Sequence, residues 1–291
     1  MTLEQLRIFV AVARCEHVTR AAGDLNLTQS AVSAAVTALE RRHGVKLFNR
    51  VGRGVELTPE GRLFQKEAEA VLLRAGEAEQ VLNDLVRQPG GLLRLAASQT
   101  VASYWLPSRM MAFHEYYPEV ALELTAGNTE TVVADVRQGT VDLGVVEGEV
   151  AGDDLDVLDV AGDRISVVVG ARHDWRHGQK VGAEELAATS WIMRERGSGT
   201  RAEFERRIAE RGVDPGALDV VLELPSNEAC LAAVEGSLSA TVLSRRAAQA
   251  RLGYGLWEAG FDLPRRRFRA IRDPRRYLSR AARAMLEMLK G

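Results

Sequence analysis

Four short stretches of this sequence carry side chains suited to holding a small anion. Ser98-Gln99-Thr100 offers two hydroxyls and an amide, and Glu147-Gly148-Glu149 offers carboxylates around a glycine. Arg196-Gly197-Ser198-Gly199-Thr200 sets two hydroxyls among glycines, and Ser226-Asn227 adds a hydroxyl and an amide. In the third stretch the glycines let backbone N–H groups converge. A helix opening at Thr200 turns its positive end to the same point, and Ser198 and Thr200 supply hydroxyl donors. The chemistry expected is recognition of an oxyanion. Glu147 opposes a fully ionised anion, but it can accept from an acidic O–H, so it would select a protonated oxyanion such as bisulfite. Taken alone, 197–200 also reads as a plain capped helix start. The expected effector contacts are Ser98, Gln99, Thr100, Glu147, Ser198, Gly199, Thr200 and Asn227.

The elements that must position these residues are short. Apolar runs at 92–97, 120–125 and 141–146 read as strands, with helices over 105–113 and 129–137. A second series has strands at 165–169, 190–193, 220–224 and 240–243 and helices at 200–211 and 227–236. A helix over 277–289 closes it. Such alternation implies βαβ units and a parallel sheet. Ligands of these sheets sit at the carboxyl ends of strands, where the polar stretches fall. The expectation is two α/β lobes with a cleft between them.

The N-terminal part has a different period. Leu3, Leu6, Phe9, Val10 and Ala13 recur at helical spacing, and a short helix follows over 18–25. Asn26-Leu27 is a tight connection. Thr28 can cap a third helix that runs to about 42 and stops at Gly44, with Ala31, Val32, Ala35, Val36 and Leu39 on its buried side. Two short helices joined by a tight turn form a helix-turn-helix, whose second helix enters the major groove. The exposed residues of that helix are polar: Gln29, Ser30, Ser33 and Thr37. Gln pairs with adenine, and Ser or Thr with any base. Then come a strand from Val45, a glycine-flexed tip at Gly52-Arg53-Gly54 and a returning strand. This is a wing that would bring Arg50 and Arg53 to the DNA backbone or minor groove. An ordinary helical hairpin is the alternative on periodicity alone.

Thr58-Pro59-Glu60 starts a long helix, stopped by Pro89-Gly90-Gly91. Phe64, Ala68, Val71, Ala75, Ala78, Leu82 and Leu85 alternate by four and three, a heptad seam suited to a dimerising coiled coil. Paired recognition helices imply a pseudo-palindromic operator in double-stranded DNA.

The pattern LRIFVAVA…VTRAAGDLNLTQSAVSAAVTALERRHGVKLFNRVGRGVELTPEG resembles the N-terminal signature of the LysR-type transcriptional regulators. The similarity runs along the chain. It implies an all-α winged helix-turn-helix plus a long linker helix, then a two-lobed α/β effector domain similar to periplasmic binding proteins. The boundaries expected are 1–58 for DNA binding with Thr28 among its contacts, 59–88 for the linker, and 92–291 for the effector domain. The first lobe is 92–161 with 267–291, the second 162–266. The resemblance further implies a homodimer or homotetramer, with RNA polymerase a candidate partner. The glycine-serine-threonine stretch resembles a subgroup that includes regulators of sulfur assimilation and of the Calvin cycle. It favours a sulfite- or sulfate-like oxyanion, with a phosphorylated or carboxylate metabolite as the alternative. Many members carry Arg where this chain has Ala34, so their base preferences do not transfer.

Composition is compatible with this reading. Among 291 residues, 46% are hydrophobic and only 5% aromatic, so Val, Leu and Ala must build the cores. The net charge of −2 announces no nucleic-acid binder, yet residues 1–57 hold eight basic against five acidic side chains. Five of the basic ones stand between Arg41 and Arg53 with no acid among them. Cys15 and Cys230 form no disulfide framework. The N-terminus shows no export signal, and no apolar run approaches the roughly 18 residues of a membrane span, so a cytoplasmic location is expected. That absence also weighs against a stand-alone solute receptor. No nucleophile elbow, phosphate-binding loop or zinc motif points to an enzyme, and no cofactor is expected. His173 and His177 lie in a polar stretch that reads as an exposed loop rather than a metal site.

Overall fold

The computed structural model describes all residues except 53, 86–88, 264 and 291. It divides into two units, Met1–Leu82 and Asn83–Gly291.

The first unit holds α1 (Leu3–Cys15), α2 (Val18–Asp24), α3 (Gln29–His43), the hairpin β1 (Phe48–Val51) and β2 (Gly54–Leu57), and most of α4 (Pro59–Asp84). Thr2 and Gln5 make a reciprocal capping box at the start of α1. Asn26 adopts φ 55°, which folds α2 tightly onto α3. The Thr28 hydroxyl accepts from the Ala31 amide at 3.2 Å, and Gly44 ends α3 at φ 67°. Leu6, Phe9, Leu39, Leu47 and Ala68 form one core cluster, and Ile8, Val12, Ala21, Ala22 and Val32 a second.

Three expectations change here. Ala31 is exposed, whereas Glu40 is buried. The Glu40 carboxylate accepts from the amides of Leu47 (2.8 Å) and Phe48 (3.2 Å) and from Lys46 Nζ (2.8 Å), so it fixes the entry of the wing. The heptad seam is not one surface. Phe64 packs against Phe9 with ring centroids 4.9 Å apart and the rings tilted by 55°, and Ala68 is buried in the same core. Only its later part, including Val71, Leu82 and Leu85, is exposed. The helix ends at Asp84, and residues 86–88 of the expected linker lie outside the described residues.

The second unit runs β3 (Gly91–Ser98), α5 (Gln99–Tyr104), α6 (Leu106–Tyr116), β4 (Val120–Gly127), α7 (Thr129–Gln138), β5 (Leu143–Glu147) and β6 (Asp156–Gly170). It continues with α8 (Ala183–Ala188), β7 (Ser190–Arg194), α9 (Gly199–Ala209), β8 (Asp219–Leu224), α10 (Asn227–Glu235), β9 (Ala240–Ser244) and α11 (Arg245–Ala248). It closes with β10 (Leu256–Glu258), β11 (Arg265–Arg272) and α12 (Arg280–Lys290). The strand order is β4-β3-β5-β11-β6-β9-β7-β8, with β10 also on β6. β3 is parallel to β4 and β5, and β7 to β8 and β9.

Two lobes result, and β6 and β11 join them. The first half of β6 pairs with β11 beside β5, and its second half pairs with β9. Leu93, Leu95, Trp105, Phe113, Val145 and Phe268 build the first core together with Met285 and Leu289 of α12. Ile165, Val167, Trp191, Met193, Phe204 and Val242 build the second. The helix expected over 105–113 is α6, which starts at Leu106, and a separate short helix, α5, precedes it and carries Thr100. The strand expected at 165–169 is the far half of a 15-residue strand.

Asp84, the last residue of α4, belongs to this second unit and is 3% exposed. Its Oδ2 accepts from the Arg280 amide at 2.8 Å and the Tyr277 hydroxyl at 3.0 Å. A carboxylate is ill placed at its own helix C-terminus but well placed at the N-terminus of α12. Among the described residues no helix is long and apolar enough to cross a membrane.

Candidate functional site

The polar stretches converge where the two lobes face each other. β3 ends at Ser98, and Gln99 and Thr100 open α5. Glu147 is the last residue of β5 rather than a loop residue. Ser198 precedes α9, which begins at Gly199 and Thr200, and Asn227 begins α10. Ser98, Thr100, Glu147, Ser198, Thr200 and Asn227 are all buried; Gln99 is half-buried. Gly199 is there because α9 runs against the end of β5. A Cβ at this position would stand 2.2 Å from the Glu147 carbonyl oxygen and 2.7 Å from Thr129 Oγ1.

Glu147 is the hub of one cluster. Ser98 Oγ donates to one carboxylate oxygen, and Thr200 Oγ1 donates to the other at 3.4 Å. Arg266, which the sequence reading did not single out, donates to Thr200 Oγ1 at 2.9 Å and stands 3.6 Å from Glu147. Its remaining N–H groups grip Asp163 at 2.6 and 3.0 Å, and Ser244 Oγ completes the Asp163 shell. Burial works against the Arg266 charge, but Glu147 and Asp163 outweigh it and hold the guanidinium above its ordinary range.

A second cluster lies beside it. Arg194 is 1% exposed and donates to Asn227 Oδ1 at 3.2 Å and to Gln99 Oε1 at 3.4 Å; Glu195 binds its other side. Asn227 Nδ2 donates to Thr100 Oγ1 at 3.1 Å. Gln99 Nε2 and the Tyr104 hydroxyl both donate to Glu228. Burial pushes Glu228 up, yet these donors outweigh it and keep its carboxyl below the usual range. These contacts tie the first lobe to the second by neutral and charged hydrogen bonds.

One polar group stands apart. Ser198 Oγ is buried and has no hydrogen-bond partner among the described residues, although the residue occupies the N-cap position where such a hydroxyl normally binds an amide. A hydroxyl buried without a partner costs about 1–3 kcal/mol.

The sequence missed Arg194, Arg266, Asp163, Glu228 and Tyr104. A signal for Arg266 was present: it stands two residues before the buried Phe268 on β11, so both side chains point the same way. His173 is held structurally. Trp175 N donates to its Nδ1 at 3.0 Å, its Nε2 meets Thr189 Oγ1, and burial lowers its pKa.

In the first unit Gln29, Ser30 and Thr37 of α3 are exposed, and Ser33 is half-buried. Thr28 is held by its capping role and by the Ser30 hydroxyl at 3.0 Å. Arg50 is exposed on β1; Arg53 lies outside the described residues.

Two family models match the chain. Residues 3–62 fit the bacterial regulatory helix-turn-helix protein, lysR family, and residues 87–291 fit the LysR substrate binding domain. The chain is 36% identical over 290 residues to an uncharacterized HTH-type transcriptional regulator, YeiE, of Escherichia coli K12, covering 99% of this chain and 96% of that protein. A full-length CbnR structure complexed with its target DNA shares the fold, with a TM-score of 0.75 at 20% identity, covering 100% and 99% of the two chains. The regulatory domain of Synechocystis PCC6803 CcmR in complex with 2-PG matches at a TM-score of 0.62 and 26% identity, covering 69% of this chain and 96% of that one. A helix-turn-helix unit joined to a two-lobed domain with a polar interlobe cluster, matched by both models, makes this chain a member of the LysR family, a transcriptional regulator with an effector-binding domain and not an enzyme.

Proposed function

We propose that this regulator senses a small, singly charged oxyanion held between Ser98, Thr100, Ser198 and Thr200, with Glu147 as its hydrogen-bond acceptor. The carrying observation is the buried Ser198 hydroxyl, which has no hydrogen-bond partner among the described residues, together with the burial of the Ser98, Thr100 and Thr200 hydroxyls. Ser98 and Thr200 spend their donors on Glu147. An arriving oxyanion takes these donors over, and its own acidic O–H compensates Glu147. Charge argues for one negative charge rather than two, because Glu147 and Asp163 already face a single Arg266. Sulfite in its protonated form satisfies both conditions. The second reading is a phosphorylated or carboxylate metabolite, favoured by the likeness to the CcmR domain bound to 2-PG. Calorimetry against sulfite, sulfate, thiosulfate, phosphate and 2-PG separates the two. Binding that is unchanged in both Thr200→Ala and Ser98→Ala rules the site out.

On the DNA side, Thr28, Gln29, Ser30, Ser33 and Thr37 read the major groove, and Arg50 and Arg53 meet the backbone. Exposed Leu82 and Leu85, with Val71, pair two copies and so set the half-sites of a pseudo-palindromic operator. Salt-sensitive binding to the DNA upstream of its own gene, with two protected half-sites, is the expected footprint. A single protected half-site refutes the paired arrangement.

A further inference from the structure

Buried charged side chains fix the direction in which the hydrogen bonds of the interlobe clusters run. A guanidinium only donates. Arg194 donates to Asn227 Oδ1 at 3.2 Å, so the amide oxygen of Asn227 faces it and the NH2 group turns away. That NH2 group also only donates, and it meets Thr100 Oγ1 at 3.1 Å. The Thr100 hydroxyl is therefore the acceptor in this bond, and its own hydrogen is left over. Thr100 is 0% exposed, and among the described residues no side chain or carbonyl takes that hydrogen.

Gln99 braces this arrangement from both ends. Its Oε1 accepts from Arg194 at 3.4 Å and from the Asn227 amide at 3.2 Å, and its Nε2 donates to the Glu228 carboxylate at 2.6 Å. Neither amide can flip without setting donor against donor. Thr200 is polarised in the same way. Arg266 donates to its Oγ1 at 2.9 Å, so the Thr200 hydrogen is free only for Glu147, 3.4 Å away, or for a ligand. Two threonine hydroxyls thus have their lone pairs engaged by protein donors and their hydrogens unspent or weakly spent.

We infer that Arg194 and Asn227 form a relay that presents the Thr100 hydroxyl to the effector as a donor only, and that Arg266 does the same for Thr200. The inference rests on the oxyanion reading and adds the pattern by which the ligand is selected: bare oxygens at both threonines and an acidic O–H only at Glu147. A molecule that turns hydroxyl or amine hydrogens toward either threonine meets a hydrogen instead of a lone pair, and two buried donors stay unpaired. A singly protonated oxyanion with two bare oxygens fits. Arg194 and Asn227 are positioning residues that act through Thr100.

The test is calorimetry of the full chain with sulfite, on Thr100→Val, Asn227→Asp and their combination. Valine keeps the shape of Thr100 and removes its hydroxyl, so binding weakens about tenfold, whereas Thr100→Ser stays within about threefold of the unmodified chain. A carboxylate at 227 only accepts and captures the Thr100 hydrogen. Asn227→Asp therefore removes that donor and adds a charge, and weakens binding about a hundredfold. With Thr100→Val already present only the charge is left to act, so the combined variant falls about a hundredfold and not about a thousandfold. Two changes that merely loosened the lobes independently would multiply. Losses that multiply, or equal affinity in Thr100→Val and Thr100→Ser, overturn the relay, and the second comparison decides even where Asn227→Asp fails to fold. Binding lost in Ser98→Ala and Thr200→Ala but kept in Thr100→Val overturns the relay alone. No sulfite binding by the unmodified chain overturns the oxyanion reading and the relay with it.

Discussion

Replacing Arg266 by Met should unfold the second unit far more readily than any surface change. The side chain is 4% exposed and makes two short bonds to Asp163, one to Thr200 and an ion contact to Glu147. Met fills similar space but leaves two carboxylates buried without their cation. Breaking one buried pair by removing a partner costs about 3–5 kcal/mol, and the second carboxylate places Arg266→Met at the upper end of that range. For a unit of this size that converts to a fall in melting temperature of roughly 10–20 °C. All four tryptophans, Trp105, Trp175, Trp191 and Trp257, lie in this unit, so intrinsic fluorescence during urea or thermal unfolding reads it alone. Adding Asp163→Leu to Arg266→Met should recover a large part of the loss, since an apolar pair of similar volume is often neutral. A loss below about 1 kcal/mol, or a double variant as unstable as the two singles summed, refutes the reasoning.

Glu40→Gln should cost the first unit about 1–3 kcal/mol and weaken DNA binding, because two wing amides and Lys46 lose their charged acceptor; urea unfolding and gel shift read the two effects. Burial raises the Glu40 carboxyl, but the bonds from Lys46, Leu47 and Phe48 outweigh it, so its folded pKa lies below its unfolded one. Its contribution is therefore present at neutral pH and lost as pH falls through the folded value, a decline that Glu40→Gln must lack. Leu82→Asp alters a residue 64% exposed, so it should shift the oligomeric state in sedimentation while leaving monomer stability within about 0.5 kcal/mol. Gly199→Ala forces a Cβ to 2.2 Å from the Glu147 carbonyl and should destabilise by about 1–3 kcal/mol while abolishing oxyanion binding, measured by calorimetry. Arg50→Ala should lower the salt slope of operator binding by about one, and an unchanged slope removes Arg50 from the phosphate contacts.

Much of this architecture was legible because local rules and global fold agree. Thr28, Gly44 and the apolar period of α1 mark their helices directly. The strand-end hydroxyls at Ser98, Ser198 and Thr200 follow from the βαβ pattern, and all three are buried at the cleft. What stayed hidden depends on partners far apart in sequence. Asp163 and Arg266 are separated by 103 residues and meet only through the antiparallel register of β6 and β11. Periodicity does not carry that register. Glu40 was hidden differently: the apolar period of α3 does not mark it, and the wing amides that it binds come from beyond the helix. The heptad seam misled because the same spacing serves a core contact at Phe64 and an exposed stripe at Leu82.

The hydrogen bond from the Arg280 amide to Asp84 has a consequence for the order in which the chain acquires its structure. During synthesis α4 emerges early, yet the amide that its last carboxylate needs is made 196 residues later. The first lobe waits equally long, because β11 and α12 complete its core. The second lobe lies wholly within the intervening segment and can mature on the ribosome before its older neighbour. Until the final helix docks, a nascent chain exposes the apolar flank of β3 and β5 and leaves Asp84 uncapped. Stalling or truncation before residue 280 should therefore yield a folded second lobe attached to a sticky, protease-sensitive first one.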